Sequence, residues 1–303
     1  MANKKPVNAQ SIRSGGKPAP RPQRKPKLGQ HFLNDAGAAQ RTVEALGDIS
    51  NSTVIEIGPG PGALTGALAA RAQRLIAIEL DRVLAAQLRM QFAPHRNVEI
   101  IEGDILTVDL ANLIRRRPSP ILAGPAITRE QAAQKARVIG NLPYYATSDI
   151  LLRLLDHHEL FETMVIMVQR EVAERIAASP GTRDYGLLSA TVQLFCQVEK
   201  LFTLPPSAFS PAPEVHSTVL RLRVAPRAES LEVDPGVFIK FLKVSFAQKR
   251  KTLANNLKLR YAAATISAAL RAARIRPDAR AEAVPLEKMA ALFKELPAAA
   301  ATT

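Results

Sequence analysis

Short apolar runs alternate with segments of helical spacing through most of this chain. Residues 53–57, 74–79, 98–101 and 162–168 are β-branched, apolar and too short for buried helices, and Val138-Ile139 forms a further run that stops at Gly140. Such runs predict buried strands. The segments between them place apolar residues at helical intervals, from Asn34 or Asp35 to about Leu46, from Ala63 to Arg71, from Asp81 to Phe92, over 148–157 and over 170–178. Strand and helix in alternation predict crossover units and a mostly parallel sheet. The pattern then changes. A helix is expected at about 187–195 and a strand at about 197–203. After the proline-rich stretch 205–213, a last strand is expected at 214–224, with Val215, Ser217, Val219 and Leu222 partly alternating. Two strands without a helix between them predict an antiparallel edge. Beyond residue 232, Phe238, Phe241, Leu242, Ser245 and Phe246 share one helical face, and further helices are expected around 252–260, 264–274 and 286–295. The expected architecture is α/β: a domain over 27–230, a small all-α C-terminal domain over 231–303, and a separate segment 1–26.

Charge sharpens that division. Residues 1–27 carry 8 Lys/Arg and no acid, residues 28–232 carry 20 basic and 22 acidic residues, and residues 233–303 carry 13 basic and 5 acidic, within a total of +14. A near-neutral body is flanked by two basic ends, which favours a polyanionic partner, nucleic acid before a membrane surface. Prolines 6, 18, 20, 22 and 26 with Gly15-Gly16 predict a disordered basic arm. The chain has one cysteine, Cys196, and five histidines without metal-ligand spacing, so a disulfide framework and a Cys-rich metal site are excluded and a reducing, cytoplasmic setting fits. No run approaches the ~18 apolar residues of a membrane span.

Candidate chemistry collects where strands end. Gly58-Pro-Gly-Pro-Gly62 joins a strand to a helix, a turn that brings backbone N–H groups close to a ligand. Glu79 ends the second strand and can take both hydroxyls of a ribose, and Asp104 follows the third and can accept from an adenine amino group. Each acid alone is more often a helix cap or surface charge, but two acids at the ends of successive strands beside a glycine turn point to a ligand, and ligands in open α/β sheets bind at this rim. The fourth strand ends in Gly140-Asn-Leu-Pro-Tyr144. Asn141 brings a side-chain carbonyl, and Pro143 keeps the Leu142 carbonyl out of the next helix. Tyr144 brings a flat ring. Together they suit a planar heterocycle with an exocyclic amine, although Asn-Leu-Pro also reads as a plain strand-to-helix turn. Phe209, in a polar loop bounded by prolines, has no obvious core partner in the sequence and is a candidate second stacking face. Residues 27–35 read either as a lid over a ligand, with Phe32 and Leu33 as anchors and Gly29 as a bend, or as a lead-in that packs on the domain. Residues 112–136, rich in Arg and Pro, suggest a surface excursion.

These segments resemble the ribosomal RNA adenine dimethyltransferase family, in its bacterial small-subunit branch. The resemblance rests on Leu28-Gly-Gln-His-Phe-Leu-Asn34, Val54-Ile-Glu-Ile-Gly-Pro-Gly60, Ile78-Glu-Leu-Asp81, Gly103-Asp104, Gly140-Asn-Leu-Pro-Tyr144, Pro205-Pro-Ser-Ala-Phe209 and Ser245-Phe-Ala-Gln-Lys-Arg-Lys251, and runs from about residue 25 to 295. It implies a Rossmann-like S-adenosylmethionine-dependent methyltransferase sheet, S-adenosylmethionine as methyl donor without a metal, and N6,N6-dimethylation of two adjacent adenines in the 3′-terminal hairpin loop of 16S rRNA. The implied partner is that RNA within a precursor of the 30S subunit. Nothing in the sequence suggests an obligate oligomer, so a monomer is expected. By matching position the resemblance implies that His31, Leu33, Gly58, Glu79, Asp104 and Asn141 line the cofactor site, that Asn141, Leu142 and Tyr144 hold the adenine, and that Phe209 stacks on it. The long basic arm and the 112–136 segment depart from the family pattern without touching its motifs. Two other readings stay open: an RNA-binding ribosome-assembly factor on the same fold without catalysis, and methylation of a large-subunit RNA adenine. A nicotinamide dehydrogenase is permitted by the glycine turn and Glu79, but the chain lacks the catalytic constellation such an enzyme needs.

Overall fold

The computed structural model describes residues 31–116 and 135–297. The arm expected at 1–26, the bend at Gly29 and residues 117–134 of the expected excursion lie outside the described residues. The elements are β1 (Phe32–Leu33), α1 (Ala36–Glu44), β2 (Thr53–Ile57), α2 (Thr65–Ala69), β3 (Arg74–Glu79), α3 (Arg82–Gln91), β4 (Val98–Glu102), α4 (Leu110–Arg115), β5 (Ala136–Asn141), α5 (Thr147–Asp156), β6 (Phe161–Gln169), α6 (Arg170–Ala177), α7 (Leu187–Phe195), β7 (Cys196–Leu204), β8 (Phe209–Ser210) and β9 (Ser217–Val224). Four helices follow: α8 (Pro235–Ser245), α9 (Leu253–Leu257), α10 (Ala263–Ala272) and α11 (Leu286–Lys294).

Seven strands form one sheet in the order β4-β3-β2-β5-β6-β9-β7. The five strands from β4 to β6 are parallel, and β9 runs antiparallel between β6 and β7. The antiparallel edge is as the sequence leads one to expect, with the last strand lying inside the one before it. A parallel sheet is covered on both faces. Val54, Leu75, Ile139, Val165 and Met167 pack with Val43, Leu46, Leu68 and Leu88 on one side. Ile55, Ile76, Val138, Met164 and Ile166 pack with Leu151, Leu154 and Leu155 on the other. Neighbouring residues of each strand thus divide between two cores, as the two-residue period requires. Ile55, Ile76 and Ile139 are fully buried, and each such side chain contributes about 1.5–3 kcal/mol by leaving water.

The helices after β9 do not stand apart from the sheet. Phe238, Phe241 and Leu242 of α8 belong to the same apolar cluster as Leu194, Leu220 and Leu222. Asp234 caps α8 by accepting from the Val237 N–H, and Phe293 of α11 closes on Phe238 edge-on at 5.5 Å between ring centroids. Asn256, buried in α9, donates to the Ser245 carbonyl at 2.6 Å, which satisfies the end of α8. The helix expected over Ala63 to Arg71 is shorter, Thr65–Ala69, because the glycine turn takes up the residues before it.

Candidate active site: a cleft at the carboxyl ends of the parallel strands

The strand order reverses direction between β2 and β5, whose ends face each other in register at Ile57 and Gly140. A crevice opens there because the connections leave to opposite sides. Gly140 is required by that register. A Cβ at this position would lie 2.6 Å from the Ile57 carbonyl oxygen, inside any tolerable contact.

The cleft is lined by Ile57, Gly58 and Gly60 after β2, by Ile78, Glu79 and Leu80 at the end of β3, and by Gly103, Asp104, Ile105 and Leu106 after β4. Asn141, Leu142, Pro143, Tyr144 and Tyr145 line it after β5, and His31 and Phe32 close one side. Glu79 is 1% exposed. Its Oε2 accepts the Gly60 N–H at 3.0 Å and its Oε1 the Asp81 N–H at 2.8 Å, so one carboxylate ties the glycine turn to the start of α3. Asp104 Oδ1 accepts the Leu106 N–H at 2.9 Å, which fixes the side chain and leaves Oδ2 toward other donors.

Asn141 donates from Nδ2 to the His31 carbonyl at 2.8 Å. That bond fixes which end of the amide points where, and leaves the Asn141 carbonyl oxygen as an acceptor. His31 Nδ1 donates to the Pro211 carbonyl at 2.8 Å, since a carbonyl can only accept. The Leu142 side chain is buried and its N–H bonds to the Met167 carbonyl, so the contribution of Leu142 to the cleft is its main chain. The turn that follows closes on the Pro143 carbonyl, which accepts from the Ala146 N–H at 3.1 Å and the Thr147 hydroxyl at 3.0 Å. The Leu142 carbonyl lies before that closure. Tyr144 is half-buried, its hydroxyl 2.7 Å from the Ser217 hydroxyl and its ring centroid 5.4 Å from that of His31. Burial holds the Tyr144 hydroxyl above its ordinary pKa, against the opposing pull of Ser217, so it is neutral at physiological pH.

Most of the residues expected from the sequence meet in this cleft: His31, Gly58, Glu79, Asp104, Asn141, Leu142 and Tyr144. Two expected residues are not among those that line the cleft. Leu33 turns its side chain into the core at 6% exposure, and its neighbour Phe32 faces the cleft, because the β1–β8 pair fixes alternate residues to opposite sides. Phe209 does have core partners. Paired with Leu33 and 3% exposed, it packs in the cluster that holds Leu204 and Ala208, and it does not line the cleft. Phe32, expected as an anchor of a segment over a ligand, does line the site. Leu80, Ile105, Leu106 and Tyr145 line it without having been singled out in the sequence; beside strands and motifs they carry no signal that separates them from core.

Phe32 also explains the middle glycine of the turn. Gly60 has φ +57°, and a Cβ there would lie 2.7 Å from the Phe32 ring. Gly60→Ala is expected to weaken cofactor binding at least about tenfold, since the left-handed conformation costs about 1–2 kcal/mol for an L-residue and Phe32 must be displaced as well. Equilibrium dialysis with S-adenosylmethionine checks this; unchanged affinity would show that the turn tolerates a side chain.

The sequence and the fold match known proteins. The family model for ribosomal RNA adenine dimethylases aligns with residues 21–298. The chain belongs to the ribosomal RNA adenine dimethylase family. Among members of the family, it is 58% identical over 276 residues to the ribosomal RNA small subunit methyltransferase A of Koribacter versatilis, covering 91% of this chain and 95% of that one. It is 53% identical over 273 residues to the protein of the same name from Acidobacterium capsulatum, covering 90% and 91%. Of solved structures, the 23S rRNA methyltransferase ErmE superposes with a TM-score of 0.64 at 26% identity over 88% of this chain and 99% of that one. A dimethyladenosine transferase from Plasmodium falciparum shares the fold, with a TM-score of 0.68 at 24% identity over 88% and 97%. The adenine dimethylases' Rossmann-like sheet is thus the sheet seen here.

The cleft fits S-adenosylmethionine as the methyl donor of this family. Its walls at Ile57, Ile78, Leu80, Ile105 and Leu106 are apolar, as the faces of an adenine require, and the two carboxylates stand at its rim. Glu79 would hold the ribose hydroxyls, Asp104 Oδ2 the adenine amino group, and the turn at Gly58 and Gly60 the close approach of backbone.

Proposed function

We propose that this protein transfers methyl groups from S-adenosylmethionine to N6 of two adjacent adenines in the 3′-terminal hairpin loop of 16S rRNA, within a small-subunit precursor in the cytoplasm. The observation that carries the reading is the Asn141 amide, held by its Nδ2 on the His31 carbonyl so that its own carbonyl oxygen is left to accept, at the same rim as Leu142, Tyr144, Glu79 and Asp104. The substrate follows from the similarity to small subunit methyltransferases A, which is far greater than that to the 23S rRNA enzyme.

The N6 amine of adenine is a poor nucleophile because its lone pair is delocalised into the ring. Bound S-adenosylmethionine supplies a methyl group on a cationic sulfur that is already electrophilic. The chain's part is orientation and acceptors placed where the amine must become tetrahedral. The Asn141 side-chain oxygen and the Leu142 carbonyl accept the two N–H bonds, and Tyr144 offers its ring to the base. None of the residues assigned to the adenine acts as a general base; the departing proton goes to water. The target base must leave its stack to enter, which an RNA loop makes easier than a duplex does. In this reading, residues 231–303 add phosphate contacts through their basic surface.

The test is methyl transfer from labelled S-adenosylmethionine to small and large ribosomal subunits from a strain lacking the modification. Label is expected in small subunits alone. Label in large subunits alone would replace the substrate; no label in either, with the cofactor bound, would favour an assembly role.

A further inference from the structure

Tyr145 has no task in the reaction described above, yet it stands at the mouth of the same cleft. It is 63% exposed, and it is among the residues that line the cleft, as Tyr144 and Leu80 are. Neither a hydrogen bond to its hydroxyl nor a ring contact is made by any described residue. A large ring left in water contributes little to folding. The backbone beneath it is held firmly: the turn closes on Pro143 through both Ala146 and Thr147, and α5 begins at Thr147. Two consecutive rings therefore stand at one rim on a backbone that is held in place. Tyr144 is drawn inward by Ser217 and has the His31 ring 5.4 Å away, while Tyr145 offers itself to solvent.

We propose that Tyr145 is a positioning residue that stacks on the nucleotide adjoining the adenine in the cleft. This rests on the reading of the cleft as an adenine methyltransferase site in single-stranded RNA. Drawing one base out of a loop strips its neighbour of a stacking partner and leaves that face in water. A rigid aromatic ring at the cleft mouth replaces the lost partner at small entropic cost, because a tyrosine side chain has only two rotatable torsions to freeze. Where the neighbour is itself an adenine, the same contact holds the second target at the entrance while the first is inside. Tyr144 is not free for this, since it serves the base inside and is partly covered.

The experiment uses the full chain with unmodified small subunits and compares Tyr145→Ala, Tyr145→Leu and Tyr145→Phe. Stacking on an aromatic side chain predicts that Ala and Leu each raise KM for the subunit by about 5- to 150-fold, and that Phe restores it to within about twofold of wild type. The affinity for S-adenosylmethionine stays unchanged in all three. An unchanged KM in Tyr145→Ala overturns the proposal. So does rescue by Leu equal to that by Phe, which would make the residue an apolar cover, and so does a parallel loss of cofactor affinity, which would assign it to the cofactor's end of the cleft. If wild-type protein transfers no methyl group to small subunits, the proposed function fails with it; if wild type transfers and Tyr145→Ala behaves identically, only the role of Tyr145 fails.

Discussion

Asn141→Ala is expected to reduce methyl transfer at least about 100-fold, the scale on which removal of one preorganised polar group at a reacting centre is felt. The substitution deletes the acceptor aimed at the amine. It also deletes the donor that holds the His31 carbonyl at 2.8 Å, and so removes one of the contacts that hold the segment closing one side of the cleft. Asn141→Asp separates the two effects. It retains an acceptor and loses the donor, so it should recover part of the rate only if the acceptor matters most. Asn141 lies at the end of β5 and is half-buried, so unfolding temperature should change little in either variant. Transfer within a few-fold of wild type in Asn141→Ala would remove this residue from the chemistry and take the mechanism with it.

Glu56→Gln is expected to stabilise the protein at alkaline pH by several kcal/mol. Glu56 lies in β2 at 1% exposure, just ahead of the glycine turn, and among the described residues neither carboxyl oxygen has a hydrogen-bond partner. Burial pushes its pKa up to about 8; the nearby Thr65 hydroxyl opposes this and the charge of Glu79 adds to it. The folded state thus keeps a proton that the unfolded chain releases above its ordinary value of 4.5. A group raised in this way lends its full stability below 4.5 and loses it as pH climbs to about 8. Each unit of difference is worth about 1.4 kcal/mol. Glutamine mimics the protonated acid and cannot ionise. Denaturant unfolding of both proteins between pH 5 and pH 8.5 should show the wild type falling away from the variant through that window and running parallel above it. Parallel curves throughout would mean that Glu56 is ionised and paired in the fold.

The polar half of the site is legible in the sequence because polar residues at strand ends have few explanations. Glu79 and Asp104 follow apolar runs and flank a glycine turn, and the parallel sheet brings them to one edge by register alone. The Asn141-Leu-Pro-Tyr144 segment declares its own geometry through proline. What failed to show is whatever depends on a distant partner. Phe32 and Leu33 differ in direction only because β8, far along the chain, pairs with β1 and fixes which side each faces. Phe209 sits among prolines and serines in the sequence, and its apolar neighbours Leu33 and Leu204 arrive only in the fold. The order of β7 and β9 is likewise hidden, since two consecutive antiparallel strands can add to a sheet in either sequence. Glu56 gives no signal either: an acid inside a strand run looks like a solvent-facing position until both faces of the sheet are seen to be covered. Tyr145 falls between, an aromatic beside a motif, and only its exposure at the cleft mouth distinguishes it from core.

Where the methyl groups go decides the proposed function. Primer extension on 16S rRNA from small subunits treated with the protein and S-adenosylmethionine reads this directly, because dimethylated N6 blocks pairing. The expected result is two adjacent stops at adenines of the 3′-terminal hairpin loop, present with wild-type protein and absent with Asn141→Ala. Stops at any other position, or the same two stops with Asn141→Ala, would contradict it.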